Sequence, residues 1–187
     1  MSVFEIITLS LSLILGLGIA QLLLNAVDIF KNRILWTWHW ESFIWIFIIF
    51  ILQLQFLFQL YWVNDYQKNW SNEVYSFTVV STILLFLSGA LILPNKTSKT
   101  KNNLNDYFEQ NGRYAVLMIA LYLINCVVIN YFSGQVPWET ANIFDYILSP
   151  LCILIFATKN GKIKLVGTLI IAVMTAIAFL TGIWGFT

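Results

Sequence analysis

Charge is scarce in this sequence. Lys, Arg, Asp and Glu together make up 10% of its 187 residues, where a soluble domain carries about 25%. Histidine occurs once, cysteine twice, proline and methionine three times each. Each shortage closes a class of function. Haem and zinc sites need several strong ligands, so neither a metal nor another cofactor is expected. Cys126 and Cys152 both fall in apolar stretches and read as inert buried thiols rather than a disulfide or metal pair. The chain has no H-E-x-x-H, G-x-S-x-G, phosphate loop or Cys-x-x-Cys, and no D-x-x-D to hold Mg²⁺, so nothing positive supports an enzyme. A nucleic-acid partner would rest on Lys96, Lys99 and Lys101 alone. Membrane topology and attraction to anionic lipid already account for a basic loop, so no nucleic acid is expected.

Apolar length is abundant. Five windows carry no charge at all, at 6–27, 42–64, 74–95, 114–138 and 165–187. Each exceeds the roughly 18 residues that read as a spanning helix. A sixth run, 138–157, is long enough if Asp145 is admitted to it. The expected fold is therefore an all-α, polytopic membrane bundle, a single domain over 1–187. Its six spans are placed at about 4–29, 42–63, 73–93, 114–133, 139–158 and 164–185. The first run lacks a basic n-region and a cleavage motif and reads as a permanent span. The longest connection, 95–112, reads as a polar loop too short for a water-soluble module.

The cations set the threading. Nine of the ten Lys and Arg residues fall between spans 1 and 2, 3 and 4, or 5 and 6; only Lys68 lies on the other side. The positive-inside rule puts those loops in the cytoplasm and both termini outside. Trp36, Trp38, Trp40 and Trp45 crowd one end of span 2, and Tyr61, Trp62, Tyr66 and Trp70 the other. Trp138 and Trp184 mark outer ends. Such rings are expected to form interfacial belts.

The polar residues inside the spans carry what function the sequence shows. In span 1, Ser12, Gly16 and Ala20 recur every fourth residue, a small-xxx-small row suited to close helix packing, including that of a homo-oligomer. Gln21, Asn25 and Asp28 form a second stripe that should face the bundle, a ligand path or a neighbouring subunit. Span 2 carries Gln53, Gln55 and Gln59, the last two on one face; glutamines on two faces imply a central helix. Asn125 and Asn130 in span 4 read as interhelical hydrogen-bond glue. His39, two residues before Glu41, is read as an interfacial hydrogen-bonding group, with pH sensing as the alternative.

The stretches "LGLGIAQLL" (15–23) and "HWESFIWIFIIFILQLQFLF" (39–58) resemble a group of small bacterial multi-spanning proteins. The shared features are a Gly-rich first span, a Trp-flanked second span and a Gln-x-Gln-Phe core. The resemblance implies a bacterial inner-membrane address and a similar helical fold, and no activity.

Asp145, in "NIFDYILSP", is the acid deepest in an apolar run. If Lys159 marks the inner edge, a core about 30 Å thick puts Asp145 roughly 9 Å below the outer surface. Alternatively Asn142 is a helix N-cap and Asp145 the third helical residue, reaching back to the cap. Pro150 frees the carbonyl of Tyr146 for another partner, as in the broken helices of transporters. The candidate pocket is Asp145, Asn142, Tyr146 and Pro150, with Gln55 and Gln59. It suggests a small oligomeric transporter or channel, whose ligand (an ion, a small molecule or a lipid) is not legible. The competing reading is a scaffold, sensor or accessory subunit in the bilayer that binds a lipid or a partner protein.

Overall fold

The computed structural model describes residues 3–31, 36–37, 39–66, 72–94, 102–132 and 140–181. Long helices account for nearly all of them: α1 (Val3–Lys31), α2 (Trp40–Tyr66), α3 (Asn72–Leu91), α5 (Arg113–Phe132), α6 (Thr140–Ala157) and α7 (Gly161–Thr181). A short α4 (Leu104–Tyr107) continues through a π-helical turn (Phe108–Gly112) into α5. Trp36–Thr37 and Asn102–Asn103 form a two-residue parallel pairing. Among the described residues five helices are long and apolar enough to cross a membrane, and α6 adds a shorter apolar helix. In hydrocarbon a helix is stable because it satisfies its own backbone hydrogen bonds. The outward surface is correspondingly oily: Leu13 and Leu24 on α1 are 61% and 69% exposed. The protein is membrane-embedded.

Residues 102–112, the described part of the expected polar loop 95–112, are structured. Asn103 caps α4, its Oδ1 accepting from Asn105 N at 3.1 Å. Leu104, Phe108 and Gly112 are buried in line with Ala115 and Ile119, a helical spacing that carries α5 one more stretch toward the N-terminus. The Tyr107 hydroxyl is shared between the carbonyls of Leu91 and Leu93, 3.1 Å from each, which ties α4 to the end of α3. At the other hairpin, Asn160 Oδ1 accepts from Lys162 N at 3.0 Å and starts α7.

Helix α2 is central. It packs on α1, α3 and α7, and its Phe56 ring meets Tyr122 of α5 edge-on at 5.9 Å. Gln53, fully buried, donates from Nε2 to the Leu85 carbonyl of α3 at 3.0 Å. Around that amide α1 and α3 approach through Gly18 and Gly89. A Cβ at Gly89 would stand 3.0 Å from Gln53 Nε2 and 3.6 Å from the Gly18 carbonyl. Gly89→Ala is therefore expected to displace the Gln53 amide and lower stability by about 1–3 kcal/mol, read as an earlier thermal melt in detergent. An unshifted melt would show that the amide yields without loss.

The small-residue contact inside the chain is thus Gly18 with Gly89, not the expected row of Ser12, Gly16 and Ala20. Nothing lies within 4 Å of a Cβ at Gly16, and Ala20 is exposed while Ser12 is half-buried. The buried row of α1 is instead Leu11, Leu15, Gly18, Leu22 and Ile29. Gln21, Asn25 and Asp28 flank it, half-buried.

Candidate functional site

Two polar constellations interrupt the apolar interior. The first surrounds Asp145. Helix α6 begins at Thr140, so Asn142 lies inside the helix and Asp145 is its sixth residue. The capping geometry is therefore corrected: Asp145 is more than a turn into α6 and 5% exposed. The side chain of Asn142 lies outside the described residues. Tyr146, 50% exposed, and Pro150, also exposed, turn away from Asp145. The helix runs unbroken through Pro150, so the expected break at the site is absent, although proline still leaves the Tyr146 carbonyl without its helical donor.

Asp145 faces α5, within electrostatic reach of the Tyr122 hydroxyl and the Cys126 thiol. Among the described residues its carboxyl has no hydrogen bond and no ion pair. Next to it the polar groups are paired. Asn125 Nδ2 donates to the Phe77 carbonyl and to Ser81 Oγ, both at 2.7 Å, the expected glue between α5 and α3. Asn130 is half-buried and also has a partner. Both cysteines are free.

Register brings α2 and α7 to the same depth. Trp45 Nε1 donates to Thr168 Oγ1 at 3.2 Å, so α2 and α7 lie side by side in the same direction. Gln55 stands about 15 Å beyond Trp45 and Thr175 about 10 Å beyond Thr168, at 1.5 Å per residue. Ile155 of α6 packs at Gly167, which puts Asp145 about 15 Å beyond that contact. By rise along their helices the three fall within about one turn of one another in depth, and Phe56, next to Gln55 in sequence, meets the Tyr122 that lies within electrostatic reach of Asp145. Among the described residues both amide atoms of Gln55 and the hydroxyl of Thr175 are buried without a partner, as are Gln53 Oε1, Thr8 Oγ1 and Arg113 Nε elsewhere. Buried orphans of this kind call for a bound water or ion. Gln59, half-buried one turn further along, has a partner of its own. Between this depth and the inner end, Ile48, Leu52 and Ile171 are buried and apolar.

The second constellation lies at the inner end and was only partly visible in the sequence. His39 precedes α2; Glu41 and Ser42 are in its first turn, where the helix dipole favours an acid. Glu41 Oε1 accepts from Thr168 Oγ1 at 3.3 Å, and its Oε2 is 3.7 Å from His39 Nε2. His39 Nδ1 and Ser42 Oγ share a hydrogen bond of 3.0 Å. Lys164 of α7, 3% exposed, donates to both carboxylate oxygens of Glu109, at 2.5 and 2.6 Å. Glu109 sits on the π-helical turn, whose Phe108 ring lies 5.5 Å from the His39 ring. Trp45 is thus an interior hydrogen-bond donor, fully buried, and not part of an interfacial belt; Trp40, 73% exposed, remains where such a belt would be. Trp38, Trp70, Trp138 and Trp184 lie outside the described residues.

Burial pushes the His39 imidazole below its ordinary value of 6.5; nearby Glu109 opposes the fall and Lys164 adds to it. The unfolded chain therefore binds the proton more readily. Above pH 6.5 the neutral imidazole sits at no cost, and stability declines as the pH falls below that value. Ser42, His39 and Glu41 resemble a nucleophile, a base and an orienting acid, but Ser42 is buried at 1% exposure. The His39–Ser42 bond joins two side chains across the start of α2, from the residue before the helix to its third residue.

No family model, no curated protein and no solved structure matches this chain.

Proposed function

We propose that this protein moves a proton or a small cation across a bacterial cytoplasmic membrane, with Asp145 as the intramembrane binding group. The observation that carries the reading is the isolation of Asp145. A buried carboxyl that faces a tyrosine hydroxyl and a thiol but has neither a hydrogen bond nor a cation among the described residues adds little to the fold, and such acids characteristically mark ion and proton routes. Gln55 and Thr175, buried at similar depth along their helices and unpartnered among the described residues, offer the oxygens and the amide that a hydrated guest would use. By the positive-inside rule the His39 end is cytoplasmic and Asp145 lies nearer the outer face. In this reading the buried apolar residues Ile48, Leu52 and Ile171 would separate Asp145 from the cytoplasmic side.

A second reading, a non-transporting scaffold or accessory subunit, draws on Asn125 and Gln53, whose bonds to α3 are those of plain interhelical glue. Purified protein in liposomes separates the two. A pH-sensitive dye inside, with sodium, potassium or proton gradients imposed in turn, should report flux above that of empty liposomes. Flux equal to that of empty liposomes under every gradient favours the scaffold.

A further inference from the structure

The inner constellation contains a charge imbalance. Its described ionisable members are His39 and Glu41 at the start of α2, Glu109 on the π-helical turn and Lys164 on α7. Arg113, the next cation along the chain, is turned aside, stacked 5.5 Å from the rings of Tyr114 and Phe156. On α4, Tyr107 is engaged with the end of α3 and Asp106 is exposed, as are Lys159 and Lys162 beside the start of α7. Lys164 gives its hydrogen bonds to Glu109, two charges that cancel. With a neutral imidazole, Glu41 would then carry a negative charge at 7% exposure, matched by one long hydroxyl bond from Thr168. Burying an uncompensated carboxylate is costly enough that such groups take up a proton instead.

We propose that Glu41 and His39 together form a proton-binding site, holding one proton between carboxylate Oε2 and imidazole Nε2 at the joint of α2, the π-helical turn and α7. The two atoms are 3.7 Å apart, a small side-chain rotation from a hydrogen bond. The proton resides on either partner and no other bond is made or broken. With the proton bound, the cluster is neutral. Without it, a carboxylate charge stands beside the Thr168–Trp45 link that fastens α2 to α7. The joint therefore responds to the pH on its own side of the membrane. The site stands on the cluster itself and holds whether or not Asp145 conducts.

The single histidine makes the test direct. Protein labelled in the histidine ring and held in detergent gives one imidazole resonance to follow against pH. Two groups that interact by more than about one pK unit lose their protons in two macroscopic steps that belong to the pair. The expected result is two inflections of the His39 signal in the wild type, one of them absent in Glu41→Gln. A companion infrared titration should show the protonated-carboxyl band of the wild type lost in the same variant. A single inflection in the wild type overturns the proposal, as does a Glu41→Gln protein that keeps both. If Glu41→Gln does not fold, the wild-type titration decides alone, since one step there already rules out a shared site.

Discussion

Asp145→Leu should make the protein more stable and inactive at once. The carboxyl is buried at 5% exposure with no partner among the described residues, so folding bears its desolvation whichever protonation state it adopts. Leucine keeps the branching of the side chain, is bulkier, and removes that cost, a gain on the order of 1–2 kcal/mol where the site yields to the added methyl groups. In the transport reading the same change deletes the buried acid of α6, and flux in liposomes falls to that of empty vesicles. Asp145→Asn should keep near wild-type stability and also lose flux, because an amide neither binds a proton at neutral pH nor balances a cation. Asp145→Glu, which keeps the charge on a longer arm, should retain part of it. Opposite signs in stability and activity are what a site held at a cost to the fold produces. A structural acid behaves in the other way: every substitution destabilises, and activity falls in step with stability. An earlier melt for Asp145→Leu and Asp145→Asn alike would therefore sink the assignment of Asp145 as a functional group.

Which parts of this were readable in advance follows from what each pattern encodes. Apolar run length reports the solvent of a helix, so the membrane class and five long spans were legible from composition alone. Glutamines on two faces of α2 implied a central helix, and Gln53 in the α3 groove agrees. Asn125 was legible as glue because an amide in hydrocarbon has few other options. The inner constellation was not legible, for a definite reason. Lys164 enters a threading argument as a counted charge at a loop, and nothing local shows that it is withdrawn onto Glu109, 55 positions away. Trp45 failed similarly: tryptophan near a span end is interfacial by default, and only its register against Thr168 makes it an interior donor. One signal was available and unused. Leu104, Phe108, Gly112 and Ala115 recur at helical spacing, enough to extend α5 backward and place Glu109 on a structured turn. The helix start of α6 could not be read because Thr140 and Asn142 are equally acceptable first-turn residues, and the choice between them decides whether Asp145 caps or is buried.

Glu109→Gln is expected to give the largest loss of stability. Lys164 lies in the first turn of α7, where the helix dipole disfavours a cation, and its side chain is 4% exposed against 43% for Glu109. The pair is therefore asymmetric. Removing Glu109 strands a buried ammonium that has little water to turn to. Breaking a fully buried pair costs about 3–5 kcal/mol; with Glu109 partly exposed, a loss of about 2–3 kcal/mol is the corresponding expectation. Removing Lys164 instead, as Lys164→Met, leaves a glutamate able to rotate into water, and the direct loss should be within about 1 kcal/mol. The double variant Glu109→Gln/Lys164→Met should recover most of what Glu109→Gln alone loses, because no stranded charge remains. Thermal melts of the four proteins complete the cycle. There is one further consequence for Lys164→Met. Without the ammonium, Glu41 and Glu109 face each other with only His39 to offset them, so this variant should melt earlier as the pH is raised. The wild type should change less over the same interval, since Lys164 balances one of the two acids throughout. Equal losses for the two single variants would mean that burial does not set the cost of the pair, and that Lys164 reaches water by another route.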